Sequence, residues 1–125
     1  MSEIICMKAK YFFVSFILWS ILFTSCNNDS TSNVDCTGIT PGYAADIAPV
    51  LATCATNGCH GNSGTQAGIN LTTYEKVKSA SSGSKFLKSI KHESGAESMP
   101  PAGFQKLSDA NIKLIECWIK NGKPE

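Results

Sequence analysis

The chain has 125 residues and a formal net charge of +1, so it has room for one domain with accessories and lacks the positive excess that nucleic-acid binding draws on. All eleven basic residues are lysines, which excludes fork-like recognition of phosphate or carboxylate by arginine. Six cysteines in so short a chain is a high count, and each needs a role.

Lys8 and Lys10 precede an apolar run over residues 11–23. The run is shorter than the ~20 residues that span a bilayer but suits the hydrophobic part of a signal peptide. It ends in Phe23-Thr24-Ser25-Cys26, which resembles the lipobox of bacterial lipoproteins, where cleavage falls just before a diacylated cysteine. The resemblance implies that residues 1–25 are a signal peptide that takes Cys6 with it. Cys26 then carries the lipid, and the protein is exported and held at a bacterial membrane, on its periplasmic side or at the cell surface. An uncleaved anchor with an incidental Cys26 is the alternative. Export leaves Cys36, Cys54, Cys59 and Cys117 in an oxidising compartment. Residues 27–33 are small and polar with no hydrophobic period, so residues 26–35 read as a lipidated cysteine and flexible tether, and residues 36–125 as the domain. From Cys26 onward nine lysines balance nine acidic residues.

Thr40-Pro41 is expected to open the first helix, with Thr40 as N-cap and Pro41 at the first helical position. Tyr43, Ile47, Val50 and Leu51 follow at helical spacing. Three residues later comes Cys54-Ala55-Thr56-Asn57-Gly58-Cys59-His60. Two thiols with an imidazole directly after the second are what covalent haem attachment requires: the thiols add across the two vinyl groups and the histidine reaches the iron. The usual form is C-x-x-C-H; here four residues separate the cysteines, and Asn57-Gly58 supplies the turn that a longer loop needs. The stretch resembles the haem-binding motif of c-type cytochromes. A zinc half-site or a reactive dithiol is the plainer reading of the same residues.

Residues 61–68 form a Gly-rich polar loop. Thr72 and Glu75 have the spacing of a capping box and predict a short helix through Val77 and Lys78. After a turn over residues 79–84, a further helix from about Lys85 puts Phe86, Leu87 and Ile90 on one side. Lys85, Lys88 and Lys91 recur along it and continue the basic region begun by Lys76 and Lys78. These lysines read first as a solvated face, and second as a docking patch for an acidic redox protein. Ser98-Met99-Pro100-Pro101 cannot be helical, because two prolines remove N–H donors and hold the loop extended. Met99 on this stiff loop resembles the distal-ligand methionine of class I cytochromes c, with His92 the other candidate. Ser108 is expected to cap a last helix whose apolar face is Ile112, Ile115, Trp118 and Ile119, with Leu107 and Ile112 as a hydrophobic staple and Asn121-Gly122 at its end.

Over residues 43–122 the order of these features resembles class I monohaem c-type cytochromes. The resemblance implies an all-α, cytochrome c-like fold of three to four short helices around one covalent haem c. It implies thioethers at Cys54 and Cys59, iron ligands at His60 and Met99, and first and last helices packed together beside the haem. With both axial positions filled, the implied function is electron transfer by a membrane-tethered carrier, not catalysis. In such a fold the two terminal segments are neighbours, which makes a Cys36–Cys117 disulfide the expectation; two unpaired thiols are the alternative. Two other functions stay open: a structural zinc module using Cys54, Cys59, His60 and a fourth ligand from Cys36, Cys117 or His92, and a haem sensor or peroxidase-like site in which Met99 is labile.

Overall fold

The described residues contain four short α-helices and no strand, so the fold is all-α. The computed structural model describes residues 33–63 and 65–125; the signal-peptide and Cys26 readings, and most of the tether, lie outside them. Among the described residues no helix is long and apolar enough to cross a membrane.

The longest helix organises the rest. Helix α4 (Asp109–Lys120) comes last in the chain, after α1 (Ala48–Leu51), α2 (Tyr74–Ala80) and α3 (Ser84–Lys91). Ser108 sits in extended backbone ahead of α4, and its Oγ accepts the Asn111 N–H at 3.2 Å. Asp109 in the first turn and Lys120 in the last complement the helix dipole. The far end closes with paired backbone bonds, Lys123 N–H to the Trp118 carbonyl and Gly122 N–H to that of Ile119. Gly122 takes φ +88° there, a conformation with no penalty only for glycine.

Ile112, Ile115, Trp118 and Ile119 are all buried along α4. They meet Ile47, Leu51, Leu71, Val77, Leu87 and Ile90 from the rest of the chain, apart from Ile112, which is buried outside that cluster. Each fully buried side chain of this kind stabilises the fold by about 1.5–3 kcal/mol. Trp118 is 0 % exposed, and its indole N–H donates to the Pro124 carbonyl at 2.7 Å. The same carbonyl accepts the Tyr43 N–H at 3.1 Å, and the Tyr74 hydroxyl donates to the Lys123 carbonyl at 2.9 Å. The C-terminal residues thus fold back between the first, second and last helical segments. Tyr43 stands against both Trp118 and Tyr74, with ring centroids 6.1 and 5.2 Å apart. So tight is this closure that a Cβ on Gly42 would lie 3.3 Å from the Glu125 backbone oxygen.

The first helical segment departs from expectation. Thr40 does not cap it; Gly42 stands in extended backbone ahead of a π-helical turn, Tyr43–Ile47, that runs into α1. Pro49 accounts for the wide turn: it has no N–H to give the Ala45 carbonyl and its ring would crowd that oxygen. Ala48 donates instead to Tyr43, five residues back. Asp46 Oδ2 accepts the Gly42 N–H at 2.8 Å. A second departure is one residue in size: α2 is capped by Thr73, whose Oγ1 accepts the Lys76 N–H at 3.4 Å. Thr72 is drawn away by Asn70, whose Oδ1 accepts both its N–H and its hydroxyl. Helix α3 begins at Ser84 behind an uncapping Gly83 and buries Leu87 and Ile90.

Ahead of these helices, a short strap crosses the outer side of α4. Cys36 and Cys117 are joined in a disulfide with Cα atoms 5.5 Å apart. On either side of that bond, Lys120 Nζ donates to the Val34 carbonyl and Asn121 Nδ2 to the Ile39 carbonyl.

Candidate functional site

A cleft of about 680 Å³ opens between the segment that follows α1 and helix α3. That is within the roughly 300–1,000 Å³ of sites that hold a cofactor-sized ligand. Leu51, Ile69, Leu71, Phe86 and Ile90 form apolar walls, and Cys54, His60 and Met99 lie in the lining with them. No residue of α4 contributes to it.

The Cys54–His60 segment is a set of closed turns. Cys54 and Ala55 both donate to the Leu51 carbonyl, which carries the end of α1 into the motif. The wider spacing between the cysteines is absorbed at Thr56, whose carbonyl accepts the N–H groups of both Cys59 and Gly61. A Cβ at Gly61 would come within 2.6 Å of that oxygen, so the residue after His60 has no room for a side chain. Gly58 takes φ +87°, the left-handed turn that Asn57-Gly58 predicts.

His60 is only 9 % exposed. Its N–H donates to the Cys54 carbonyl at 3.0 Å and its carbonyl accepts from Leu71 at 2.8 Å. The ring Nδ1 is 3.1 Å from the Ile69 carbonyl oxygen. A carbonyl only accepts, so the proton sits on Nδ1, and Nε2 is the nitrogen with a free lone pair. A backbone carbonyl behind an imidazole fixes its tautomer and makes it a better donor to a metal. The Ile69 carbonyl is invisible to side-chain reasoning, because a backbone oxygen is common to every residue type.

The two thiols differ. Cys54 is half-buried in the cleft lining, whereas Cys59 is exposed and outside the lining. Burial pushes the Cys54 thiol up, the Thr53 hydroxyl opposes this, and the neighbouring Cys59 charge reinforces it. Burial thereby disfavours the Cys54 thiolate, the form that metal binding and disulfide exchange use.

The far wall ends at Met99, half-buried in the lining after α3. Its N–H donates to the Ser89 carbonyl at 3.0 Å, and the Met99–Pro100 peptide is cis. His92, the other candidate ligand, is exposed and does not line the cleft; its Nε2 is 3.2 Å from the Met99 carbonyl oxygen.

The zinc set is corrected by the disulfide, which takes Cys36 and Cys117 out of use as ligands. Among the described residues no three His, Cys, Asp or Glu side chains converge to hold a metal ion. The lysines are also less alike than their spacing implied. Lys76 donates to Thr72, Lys78 to the Tyr74 hydroxyl, and Lys91 pairs with Glu93 and Glu116, while Lys85 stands in the cleft lining.

No protein-family model, curated protein or solved structure matches the chain.

Proposed function

We propose that the domain holds one haem covalently through Cys54 and Cys59, uses His60 and Met99 as iron ligands, and carries single electrons. The observation that carries this reading is the shared lining of the cleft, which gathers a thiol, an imidazole with a free Nε2 and a thioether from residues 54, 60 and 99.

The donor set fits the group. An imidazole and a thioether are the neutral pair that six-coordinate haem iron takes, and the apolar walls suit a porphyrin face. Bound there, haem supplies a one-electron iron couple. His60 holds its donor nitrogen in place through the Ile69 carbonyl. Met99 offers a soft sulfur that favours the ferrous state and so a higher potential than a second imidazole would give. Leu51, Ile69, Leu71, Phe86 and Ile90 exclude water and keep the dielectric low around the donors. With His60 and Met99 both holding the iron, no place would be left on it for a substrate, and the protein would act as a carrier. Its partner is a second redox protein. The lipobox-like residues before Cys26 support tethering to a bacterial membrane on its exported side.

Protein made alongside a c-type maturation system tests this directly. A denaturing gel stained for haem should show the cofactor on the chain, in the membrane fraction, and the ferric protein should have a low-spin spectrum with a weak near-infrared iron–thioether band. Absence of covalent haem overturns the reading. A high-spin spectrum replaces the carrier with an open-site sensor or peroxidase-like protein.

A further inference from the structure

Helix α3 ends at Lys91, and His92 after it takes the left-handed conformation, φ 60° and ψ 38°. That position closes the helix, here with the His92 N–H returned to the Lys88 and Ser89 carbonyls. Glycine or asparagine is the usual occupant, because a larger side chain is strained in this region. Strained backbone at a residue with a ring is a reason to ask what the ring does.

The ring reaches the Met99 carbonyl. At 3.2 Å from an oxygen that only accepts, His92 Nε2 carries the proton and donates it. The Met99 N–H is already given to Ser89 in the last turn of the same helix. The end of α3 therefore holds both backbone polar groups of Met99, one through the helix itself and one through the residue that terminates it. Apart from Leu107, which packs against the core, hydrogen bonding restrains little of this part of the chain. Among the described residues, the segment 94–107 makes its hydrogen bonds to the rest of the domain at Met99 alone. Pro100 and Pro101 have no N–H to contribute.

We infer that His92 is the positioning residue for Met99: it fixes the backbone from which the thioether is presented into the cleft, without itself lining the cleft. The inference rests on the reading of Met99 as an iron ligand. It assigns to His92 a role distinct from the ligand role that its imidazole first invites. A glycine at this position would end α3 as well but leave the Met99 carbonyl unheld.

Haem-loaded wild type, His92→Gly, His92→Asn and Met99→Ala test it through three measurements: the near-infrared iron–thioether band, the affinity of the ferric protein for added imidazole, and thermal stability. Glycine and asparagine both tolerate the left-handed position, so neither variant removes the helix end. His92→Gly should keep or raise thermal stability, yet weaken the band and tighten imidazole binding by about 2- to 10-fold, the range that the net worth of one hydrogen bond allows. A His92→Gly protein with wild-type band and imidazole affinity overturns the inference. So does a loss of band in both His92 variants that only tracks a matching loss of thermal stability. If the wild type lacks the band and Met99→Ala changes nothing, the ligand reading itself falls, and the role of His92 falls with it.

Discussion

On the α4 side of the domain the central residues are held several times over, while on the cleft side the Met99 segment is hydrogen-bonded to the rest of the domain at one residue. Trp118 is enclosed on all sides and its indole N–H is also bonded. Its neighbour Cys117 is covalently tied to the strap, and the helix is capped at both ends. Across the domain, residues 101–106 are exposed in sequence, with Phe104 70 % exposed. Among the described residues no buried side-chain nitrogen or oxygen lacks a partner, so the contrast is not between a finished and an unfinished fold. It separates the residues that make the chain fold from those that present donors to the cleft. Low local stability is where adjustable elements are found in proteins generally.

Substitutions graded by size break or sharpen that contrast. The largest effect should come from Cys36→Ser. The disulfide spans a sequence separation of 81, for which chain-entropy reasoning gives roughly 4–5 kcal/mol. Denaturant unfolding of oxidised wild type and variant measures it; a difference under about 1 kcal/mol, the worth of a hydrogen bond, would assign the strap's grip to Lys120 and Asn121. Next comes Lys91→Met, at the seam between α3 and α4. Lys91 reaches Glu93 at 2.8 Å and Glu116 at 3.1 Å, and Glu116 is buried. Leaving that carboxylate without its cation should cost about 1–3 kcal/mol. The hydrogen bond to Glu93 raises the Lys91 pKa, partial burial opposes it, and Glu116 adds to it. A raised lysine value means that this contribution is present below the unfolded value of ~10.4 and is lost as pH rises through the folded one. Stability of the wild type should therefore fall in strong alkali by more than that of the variant. Smallest is Phe104→Ser on the exposed loop, expected within about 0.5 kcal/mol of wild type. A loss above 1 kcal/mol, the usual size of a buried contact, would mean that the loop is part of the scaffold after all.

The same division governs what the sequence made legible. Helix α4 could be read almost to the residue, because Ser108, the apolar face from Ile112 to Ile119 and Gly122 act within one turn of their own positions. The first helix was misread where a proline inside it outweighed a proline before it: Pro49 widens the turn, and Thr40-Pro41 stays outside. Thr72 lost the cap to Thr73 because Asn70, two residues back, offered a better acceptor. The cleft was legible in its donors, and the lining does gather Cys54, His60 and Met99. It was not legible in what holds them. The Ile69, Ser89 and Met99 carbonyls are backbone groups, common to every residue type, and their use depends on how distant segments meet. The resemblance implies a thioether at Cys59 as at Cys54; the Cys59 thiol is exposed and stands outside the lining.

The strap has a mechanical consequence. Cys36 is where the leading segment of the chain enters the domain, and its partner Cys117 lies on the one helix that takes no part in the cleft. Tension along that leading segment is delivered at Cys36 and shared at once with α4, the longest element. From there it spreads into the packed interior around Trp118 before it reaches the cleft. A tug at the front of the chain therefore loads a covalent bond and a helix before it loads the cleft that holds His60 and Met99.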